Sequence, residues 1–266
     1  MHKLMRSRAC ISKSWFRKLT IESSTAVGVG KTVPSSAADG LVSETAENMR
    51  LDKAVVNPLA HEDFFEVQKL VTLNDLFACK VHLGHKYGTR NPYMLPYIYG
   101  NRQDVDIIDL DQTLSLLRDA LNFAAHVAFR DGIILFLGRN RQMMPLIEKT
   151  AQECGEYAHC RYWSGGTFTN STNQFGAITR LPDLCVFLST LTSVFQPHSG
   201  IVSAAKLNIP SIAVLDSNCD PRYVTYPVPG NDDTPVAVEL YCRLFKEVIL
   251  RAKAKRKELL ELGYDL

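Results

Sequence analysis

Cationic and aromatic side chains alternate in residues 82–102, a stretch interrupted by Gly88, Pro92, Pro96 and Gly100. Cations neutralise phosphates, and flat rings can stack on bases or sugars, so this pattern is typical of a contact with RNA. The alternative is a rigid loop whose tyrosines cover a sheet. The cations of this stretch are Lys86, Arg90 and Arg102, and its rings belong to Tyr87, Tyr93, Tyr97 and Tyr99.

Two other segments combine features of a phosphate or base contact. Arg139 and Arg141 directly follow an apolar strand candidate, and residues 161–170 join aromatic rings to a pair of glycines that let a ligand approach the backbone. Asn170 can begin a helix there, and the free amides of a helix amino end suit a phosphate. We therefore expect phosphate contacts from these loops, with the ring of Trp163 stacking on a base.

The C-terminal helix ends in five cations within seven residues. Cations at a helix C-terminus offset the helix dipole, but five are more than that effect needs. The sequence therefore predicts phosphate contacts here as well. The acidic turn 229–235 precedes the same helix and is instead expected to cap it, because its carboxylates repel phosphate. The five cations are Arg251, Lys253, Lys255, Arg256 and Lys257.

The motifs of common enzymes and metal centres are missing from the sequence. The run 25–32 resembles a phosphate-binding loop, but a threonine replaces its first glycine and no buried strand precedes it. The sequence has no dinucleotide fingerprint after Gly138, no G-x-S-x-G elbow and no H-E-x-x-H zinc motif. Cys79, His82 and His85 lack a fourth ligand at a recognisable spacing, so no metal and no cofactor is predicted.

The composition is that of a folded protein. Of 266 residues, 46% are hydrophobic and 22% are charged, which fits one large domain or two small ones and excludes fibrous and wholly disordered classes. No uncharged apolar run approaches the roughly 18 residues that a membrane-spanning helix requires. Seven cysteines without tight pairing indicate a reducing compartment and not a disulfide framework.

The net charge of +2 conceals a basic N-terminus. Residues 1–20 hold six Lys and Arg and no acid, and the remainder carries 24 Lys and Arg against 28 Asp and Glu, a net charge of −4. A segment rich in Arg and Ser, with apolar side chains on one helical face, predicts a mitochondrial transit peptide over 1–20. The alternative is a basic disordered arm that touches RNA or lipid. Residues 21–69, with few large apolar groups, are expected to form a linker.

From residue 70 onward, helix-period and strand-like segments alternate. Residues 132–138 are apolar on both faces, as in a central parallel strand that helices cover on both sides. Repeated strand and helix units predict a mostly parallel, three-layer α/β sheet over 70–250, with a basic helix end and tail over 251–266. The other strand candidates are 105–108, 157–161, 184–188, 211–215 and 224–228, and helices are expected over 110–128, near 140–153, 170–178 and 197–207, and after Thr234.

Several of these segments resemble the small-subunit ribosomal protein S2 family, of the uS2 type. The resemblance covers about residues 70–250 and, with the presequence, is to a mitochondrial member. The motifs that carry it, in the family's order, are His82-Leu-Gly-His85, Arg90-Asn91-Pro92, Pro96-Tyr-Ile-Tyr-Gly100, Asp106-Ile-Ile-Asp-Leu110, 132–138, Trp163-Ser-Gly-Gly166 with Thr169-Asn170, Leu181-Pro-Asp183, Asn208-Ile-Pro210, Asp216-Ser-Asn218 and Pro229-Gly-Asn-Asp232.

This resemblance implies a flavodoxin-like fold and a structural, non-enzymatic role in the mitochondrial small ribosomal subunit. It implies binding to small-subunit ribosomal RNA and to neighbouring ribosomal proteins in the matrix, without a membrane or small-molecule partner. Bacterial members insert a long helical hairpin where only residues 171–180 stand here, so that hairpin is not expected. The expected RNA-binding residues are Lys86, Arg90, Asn91, Tyr93, Arg102, Arg139, Arg141, Trp163, Asn170, Arg251, Lys253, Lys255, Arg256 and Lys257.

Two other functions stay open on the residues alone. The sheet could belong to a small-molecule-binding α/β enzyme whose site lies at the strand carboxyl ends, near Gly138, Asp216 and Asn218. Specific binding of a nucleotide or sugar phosphate in the absence of RNA would favour that function. The protein could also be a free-standing RNA-binding regulator, which would not sediment with ribosomal subunits.

Overall fold

The computed structural model describes residues 58–61, 63–176, 179–193 and 196–262. The predicted transit peptide over 1–20, most of the predicted linker over 21–69 and the run 25–32 lie outside these residues. In the described part of the chain, no helix has the length and apolar character needed to cross a membrane. The elements are, in chain order, α1 (Leu73–Ala78), β1 (Leu83–Lys86), β2 (Ile98–Arg102), β3 (Val105–Ile108), α2 (Leu110–Phe129), β4 (Ile134–Leu137), α3 (Met144–Cys154), β5 (Tyr157–His159), α4 (Ser171–Phe175), β6 (Leu184–Phe187), β7 (Leu191–Ser193), β8 (Gln196–Pro197), α5 (Ser199–Lys206), β9 (Ser211–Leu215), β10 (Tyr226–Pro229) and α6 (Pro235–Glu261).

Five strands form a parallel sheet in the order β5-β4-β6-β9-β10. In its register, Leu137 of β4 lies between His159 of β5 and Phe187 of β6, and Phe187 lies opposite Ala213 of β9. The chain first adds a strand on one side of β4 and then continues on the other side, which is the order of a flavodoxin-like doubly wound sheet. The predicted fold class is confirmed.

The strands are apolar on both faces because both faces are covered. On one face, Phe136 and Val186 pack with the long helices α2, α3 and α6 in the main core. On the other face, Leu137 and Phe187 pack with α5, with the 3-10 helix Pro92–Tyr97 and with the turn around Trp163. The second layer is therefore thinner and is built largely from turns.

A second, antiparallel sheet has the order β1-β3-β2 and occupies a region where the sequence predicted only turns and one strand. Lys86 at the end of β1 and Arg102 at the end of β2 both lie opposite Val105 of β3. Gln103 and Asp104 connect β2 to β3 with φ values of 52° and 61°, the backbone of a two-residue hairpin turn. Because β1 and β2 are short and mostly polar, they lack the alternation that identifies a strand.

The turn 229–235 leads into α6 but does not cap it with a side chain as predicted, because Thr234 is the N-cap residue and makes no capping hydrogen bond. Instead, Asn231 Oδ1 accepts hydrogen bonds from the N–H groups of Asp233 and Thr234 at 2.9 and 3.2 Å. The asparagine thereby orders the turn before the helix, and the N–H of Thr234 is one of the donors that the helix start leaves without a partner.

The folded body extends past both of the predicted boundaries, which corrects the domain limits. Phe65 and Val67 are buried in the main core, so these two side chains of the predicted linker belong to the folded body, while the residues between and after them are exposed. At the other end, α6 continues to Glu261 within the predicted helix end and tail, and it buries Leu259 in the core. The sequence did not predict burial of Phe65 and Val67 because their neighbours are largely charged or polar. It did not predict burial of Leu259 because this residue follows a run of cations.

The corrected N-terminal boundary predicts a large effect of truncating a single ring. Replacing Phe65 with Ala is expected to lower the free energy of unfolding by about 3–5 kcal/mol, because the removed ring leaves a cavity in the core. Phe175→Ala is the matched control, since Phe175 is 52% exposed and its loss should change the value by less than about 0.5 kcal/mol. Urea unfolding of both variants measures the difference. Equal effects of the two substitutions would contradict the placement of Phe65 in the core.

Candidate nucleic-acid interface

The three-stranded sheet is anchored to the loop that follows β9. The N–H of His85 donates to Ser217 Oγ at 2.9 Å, and the N–H of Asn91 donates to the Ser217 carbonyl oxygen at 2.9 Å. Gly84 lets this strand approach the loop closely, because a Cβ there would make tight contacts of 3.2 Å with Asp216 Oδ1 and 3.1 Å with Ser217 Oγ. These contacts fix the stretch in which the sequence predicted an RNA contact.

Arg90 belongs to a buried ion pair. Its Nε donates to Asp106 Oδ2 at 2.8 Å, its Nη2 donates to Asp106 Oδ1, and Asn101 Nδ2 donates to the same carboxylate at 3.1 Å. Burial favours the protonated acid, but the bonds from Arg90 and Asn101 outweigh burial and lower the pKa of Asp106. The predicted phosphate contact of Arg90 is therefore corrected: an internal carboxylate neutralises its charge.

His85 bridges two carboxylates at the same junction. Its Nδ1 lies 2.8 Å from Asp216 Oδ2, and its Nε2 lies 3.3 Å from Asp233 Oδ2. The hydrogen bond to Asp216 is the largest influence and raises the pKa of His85 to about 9, although burial opposes it. His85 is therefore an imidazolium at neutral pH. Burial, followed by the charges of Asp216 and Asp233, raises the pKa of Asp232 to about 7.

His85, Asp216 and Asp233 are the one group within the described ranges whose possible metal-ligating atoms lie within 4.8 Å of one another. An imidazole nitrogen and carboxylate oxygens are donors that suit a divalent cation. Here both imidazole nitrogens face carboxylate oxygens, so the three side chains form an ion-pair cluster. His82, which the sequence grouped with His85, instead stacks on Phe77 with 4.7 Å between the ring centroids.

Two predicted cations are exposed at one end of the three-stranded sheet. Lys86 and Arg102 share this end because both lie opposite Val105. Both side chains are exposed, and no ion pair involves either of them among the residues that the structure describes. Their charges are available to a phosphate backbone.

A second group of cations lies in the segments that follow β4 and β5, with Arg141 and Arg161 exposed and Arg139 half-buried. We refer to Arg139, Arg141, Arg161 and Tyr162 as the arginine–tyrosine cluster. Arg139 Cζ lies 5.7 Å from the centroid of the Tyr162 ring, which is 77% exposed. Arg161 makes only a long, exposed contact of 3.8 Å with Glu148. Sequence analysis singled out the segment 161–170 but did not include Arg161 and Tyr162 among the expected RNA-binding residues, although a cation beside a ring at a strand end indicates such a contact.

Two predicted contacts of the glycine-rich turn have other positions. Trp163 is 5% exposed, with its ring centroid 4.8 Å from that of Phe168 and 5.5 Å from that of His198. Its ring is inside the second core, which corrects the prediction that it stacks on a base. Asn170 is exposed and precedes α4, but its side chain does not cap this helix of five residues.

Asn91 and Tyr93 shape the 3-10 turn of the same region. Asn91 Oδ1 accepts a hydrogen bond from the N–H of Tyr93 at 3.0 Å, so this side chain caps the turn. The ring of Tyr93 is 50% exposed, and Arg222 Cζ lies 3.8 Å from its centroid. The Tyr93 ring is therefore exposed enough for its predicted stacking on a base, although Arg222 already contacts it within the protein.

Most of the basic run on α6 is used inside the protein, which corrects the prediction of five phosphate contacts. Lys253 donates to the Cys154 carbonyl at 2.7 Å and pairs with Glu156, and Lys255 donates to the Phe64 carbonyl. Arg256 pairs with Asp131 at 3.1 Å, and Arg251 donates to the Glu66 carbonyl at 3.4 Å. Lys257 is exposed.

The crevice where an α/β sheet usually binds a small molecule is almost closed. The order of the strands reverses between β4 and β6, and a cavity of about 10 Å³ lies at their carboxyl ends, lined by Gly138, Asn140 and Ser189. This volume holds about one water molecule. Asp216, the other residue proposed for an enzyme site, is bound to His85 and to the N–H of Ser217.

The His85 cluster predicts a pH-dependent contribution to stability. Because the pKa of His85 rises to about 9 in the folded protein, from 6.5, the stabilisation is fully present below pH 6.5 and disappears as the pH rises towards 9. His85→Asn should therefore reduce the free energy of unfolding by roughly 1–3 kcal/mol at low pH and by much less at alkaline pH. Urea unfolding across this range tests it, and a difference independent of pH would contradict it.

The family model of ribosomal protein S2 matches residues 76–189 and 177–252. The chain is 52% identical over 230 residues to small ribosomal subunit protein uS2m of Bos taurus, which covers 86% of this chain and 78% of that protein. It is 35% identical over 235 residues to uS2 of Anaplasma phagocytophilum (strain HZ), covering 73% and 79%, and 34% identical over 225 residues to uS2 of Rickettsia akari (strain Hartford), covering 68% and 75%.

These matches span the packed body and include the turns that carry the resemblance in the sequence. The two matched parts overlap at 177–189, beside the segment where the bacterial hairpin is not expected. The similarity to uS2m confirms the prediction of a mitochondrial member. The chain therefore belongs to the ribosomal protein S2 family.

Proposed function

We propose that this protein is a structural constituent of the mitochondrial small ribosomal subunit that contacts small-subunit ribosomal RNA and neighbouring proteins during mitochondrial translation. Membership of a family of structural ribosomal proteins supports the ribosomal role and argues against an enzymatic one. The RNA contact is supported by the surface of the protein, and the arginine–tyrosine cluster is the observation that carries it.

The arginine–tyrosine cluster has the chemistry of a backbone contact. Its three arginines lie in the segments that follow two adjacent parallel strands, and Arg139 Cζ lies 5.7 Å from the centroid of the Tyr162 ring. Guanidinium groups bind phosphates through charged hydrogen bonds, and the exposed Tyr162 ring can stack on a sugar or a base. Outside the first 20 residues the chain has a net charge of −4, so an attraction to RNA depends on such local groups.

Lys86 and Arg102 supply a second, smaller group of cations. They lie at the same end of the three-stranded sheet, which is fixed to the protein by buried polar contacts. Because its position is fixed, this end can recognise the shape of a folded RNA and not only its charge. The acidic remainder of the surface is then available to neighbouring proteins.

Loss of charge from the arginine–tyrosine cluster is expected to weaken RNA binding. Arg139→Gln with Arg141→Gln should lower the affinity for small-subunit ribosomal RNA and reduce the slope of log affinity against log salt by about 1–2. Lys149→Gln with Lys206→Gln removes the same charge from exposed positions on α3 and α5 and serves as the control. Equal slopes for the two double variants would contradict the assignment.

Sedimentation distinguishes a ribosomal constituent from a free-standing RNA-binding regulator. The full chain, expressed in cells and followed through a sucrose gradient of mitochondrial lysate, is expected to migrate with the small subunit. It should leave that fraction when the subunit is dissociated by removal of magnesium. A chain that stays near the top of the gradient in intact lysate would contradict the structural role.

A further inference from the structure

A cleft of about 380 Å³ opens on the thin layer of the protein, between the loop after α5 and the segment before β10. Its volume falls within the range of roughly 300–1,000 Å³ that is typical of small-ligand sites. The cleft is separate from the arginine–tyrosine cluster and from the end of the three-stranded sheet. Its principal lining residues are Asn208, Ile209, Pro210, Arg222, Tyr223 and Thr225.

Arg222 is fixed at one wall of this cleft. Its Nε and Nη2 donate to the carboxylate of Asp220 at 3.0 and 2.7 Å, and its Cζ lies 3.8 Å from the centroid of the Tyr93 ring. Because Asp220 compensates the charge, Arg222 is a weak phosphate ligand. A planar guanidinium group that is held in place can still stack against flat rings.

The other lining groups match the flat, edge-polar shape of a nucleobase. Tyr223 is 42% exposed, follows Arg222 in the chain and is also a lining residue of the cleft. Ile209 and Pro210 add apolar atoms to the lining of the cleft. Asn208 is exposed at a positive φ of 55°, and no hydrogen bond to its side-chain amide is found in the described part of the chain. An amide offers both a donor and an acceptor, as the edge of a base does.

We propose that this cleft binds the base of an unpaired RNA nucleotide, with Tyr223 as the stacking residue and Asn208 as the hydrogen-bonding residue for the base edge. A base in a duplex is stacked and paired and cannot enter such a cleft, whereas bases in loops and bulges can. Tyr93 lies on Arg222, so a second ring extends the stacking surface away from the cleft. This inference rests on the proposed RNA contact and names the RNA element that the protein recognises.

Fluorescence anisotropy with labelled oligonucleotides tests the proposal on the full chain. The probes are single-stranded oligo(A) and oligo(U) of about ten nucleotides, and an RNA duplex of the same length. The wild-type chain should prefer the single strands. Tyr223→Ala should weaken single-strand binding by about 5- to 100-fold, because stacking is lost, whereas Tyr223→Phe should retain most of it. Asn208→Ala should change the ratio between the affinities for oligo(A) and oligo(U).

Tyr157→Ala is the matched control, because Tyr157 is 61% exposed and begins β5, outside the cleft. Urea unfolding establishes that each variant is folded. If Tyr223→Ala binds single strands as the wild type does, or if Tyr157→Ala loses as much affinity, the cleft proposal fails while the proposed RNA contact stands. If the wild-type chain binds none of the probes and no small-subunit ribosomal RNA, both proposals fail.

Discussion

The charged contacts that hold the three-stranded sheet together and attach it to the loop after β9 are the constraint on which the rest of the structure depends. Arg90 and Asp106 pair inside the smaller sheet, and His85 reaches across to Asp216. Two strands of the smaller sheet, β1 and β2, are mostly polar, and Ile108 of β3 is the one buried apolar side chain among its strand residues. Breaking a buried ion pair by removing one partner costs about 3–5 kcal/mol, so these contacts determine whether the cationic end has a fixed position.

The same requirement divides the cations of this protein into two groups. Arg90, Lys253, Lys255 and Arg256 are used within the fold, where carboxylates and carbonyl oxygens hold them. A cation that is already neutralised in this way adds little attraction for a phosphate. The proposed RNA contact therefore depends on a smaller set of cations, those of the arginine–tyrosine cluster together with Lys86 and Arg102. Among the described residues, none of these cations pairs with a buried carboxylate.

The parallel sheet could be predicted because its strands, such as β4 and β6, are short apolar runs between helix-period segments. The contacts that attach the three-stranded sheet to the loop after β9 could not be predicted, because the residues that make them, such as His85 and Ser217, are 132 residues apart in the chain. Trp163 was predicted at the surface because nothing in its local sequence indicates the second core formed by α5 and the 3-10 turns. Sequence patterns identify apolar faces well, but they do not show which cation has an internal carboxylate.

Ultraviolet cross-linking of purified mitochondrial small subunits, followed by mass spectrometry of the peptides attached to ribosomal RNA, tests the central claim most directly. The account predicts cross-linked peptides from this chain that contain Tyr162 or the neighbourhood of Lys86 and Arg102, because these side chains are exposed beside available cations. Cross-links confined to residues 251–257, or none from this chain while other proteins of the particle cross-link, would contradict it.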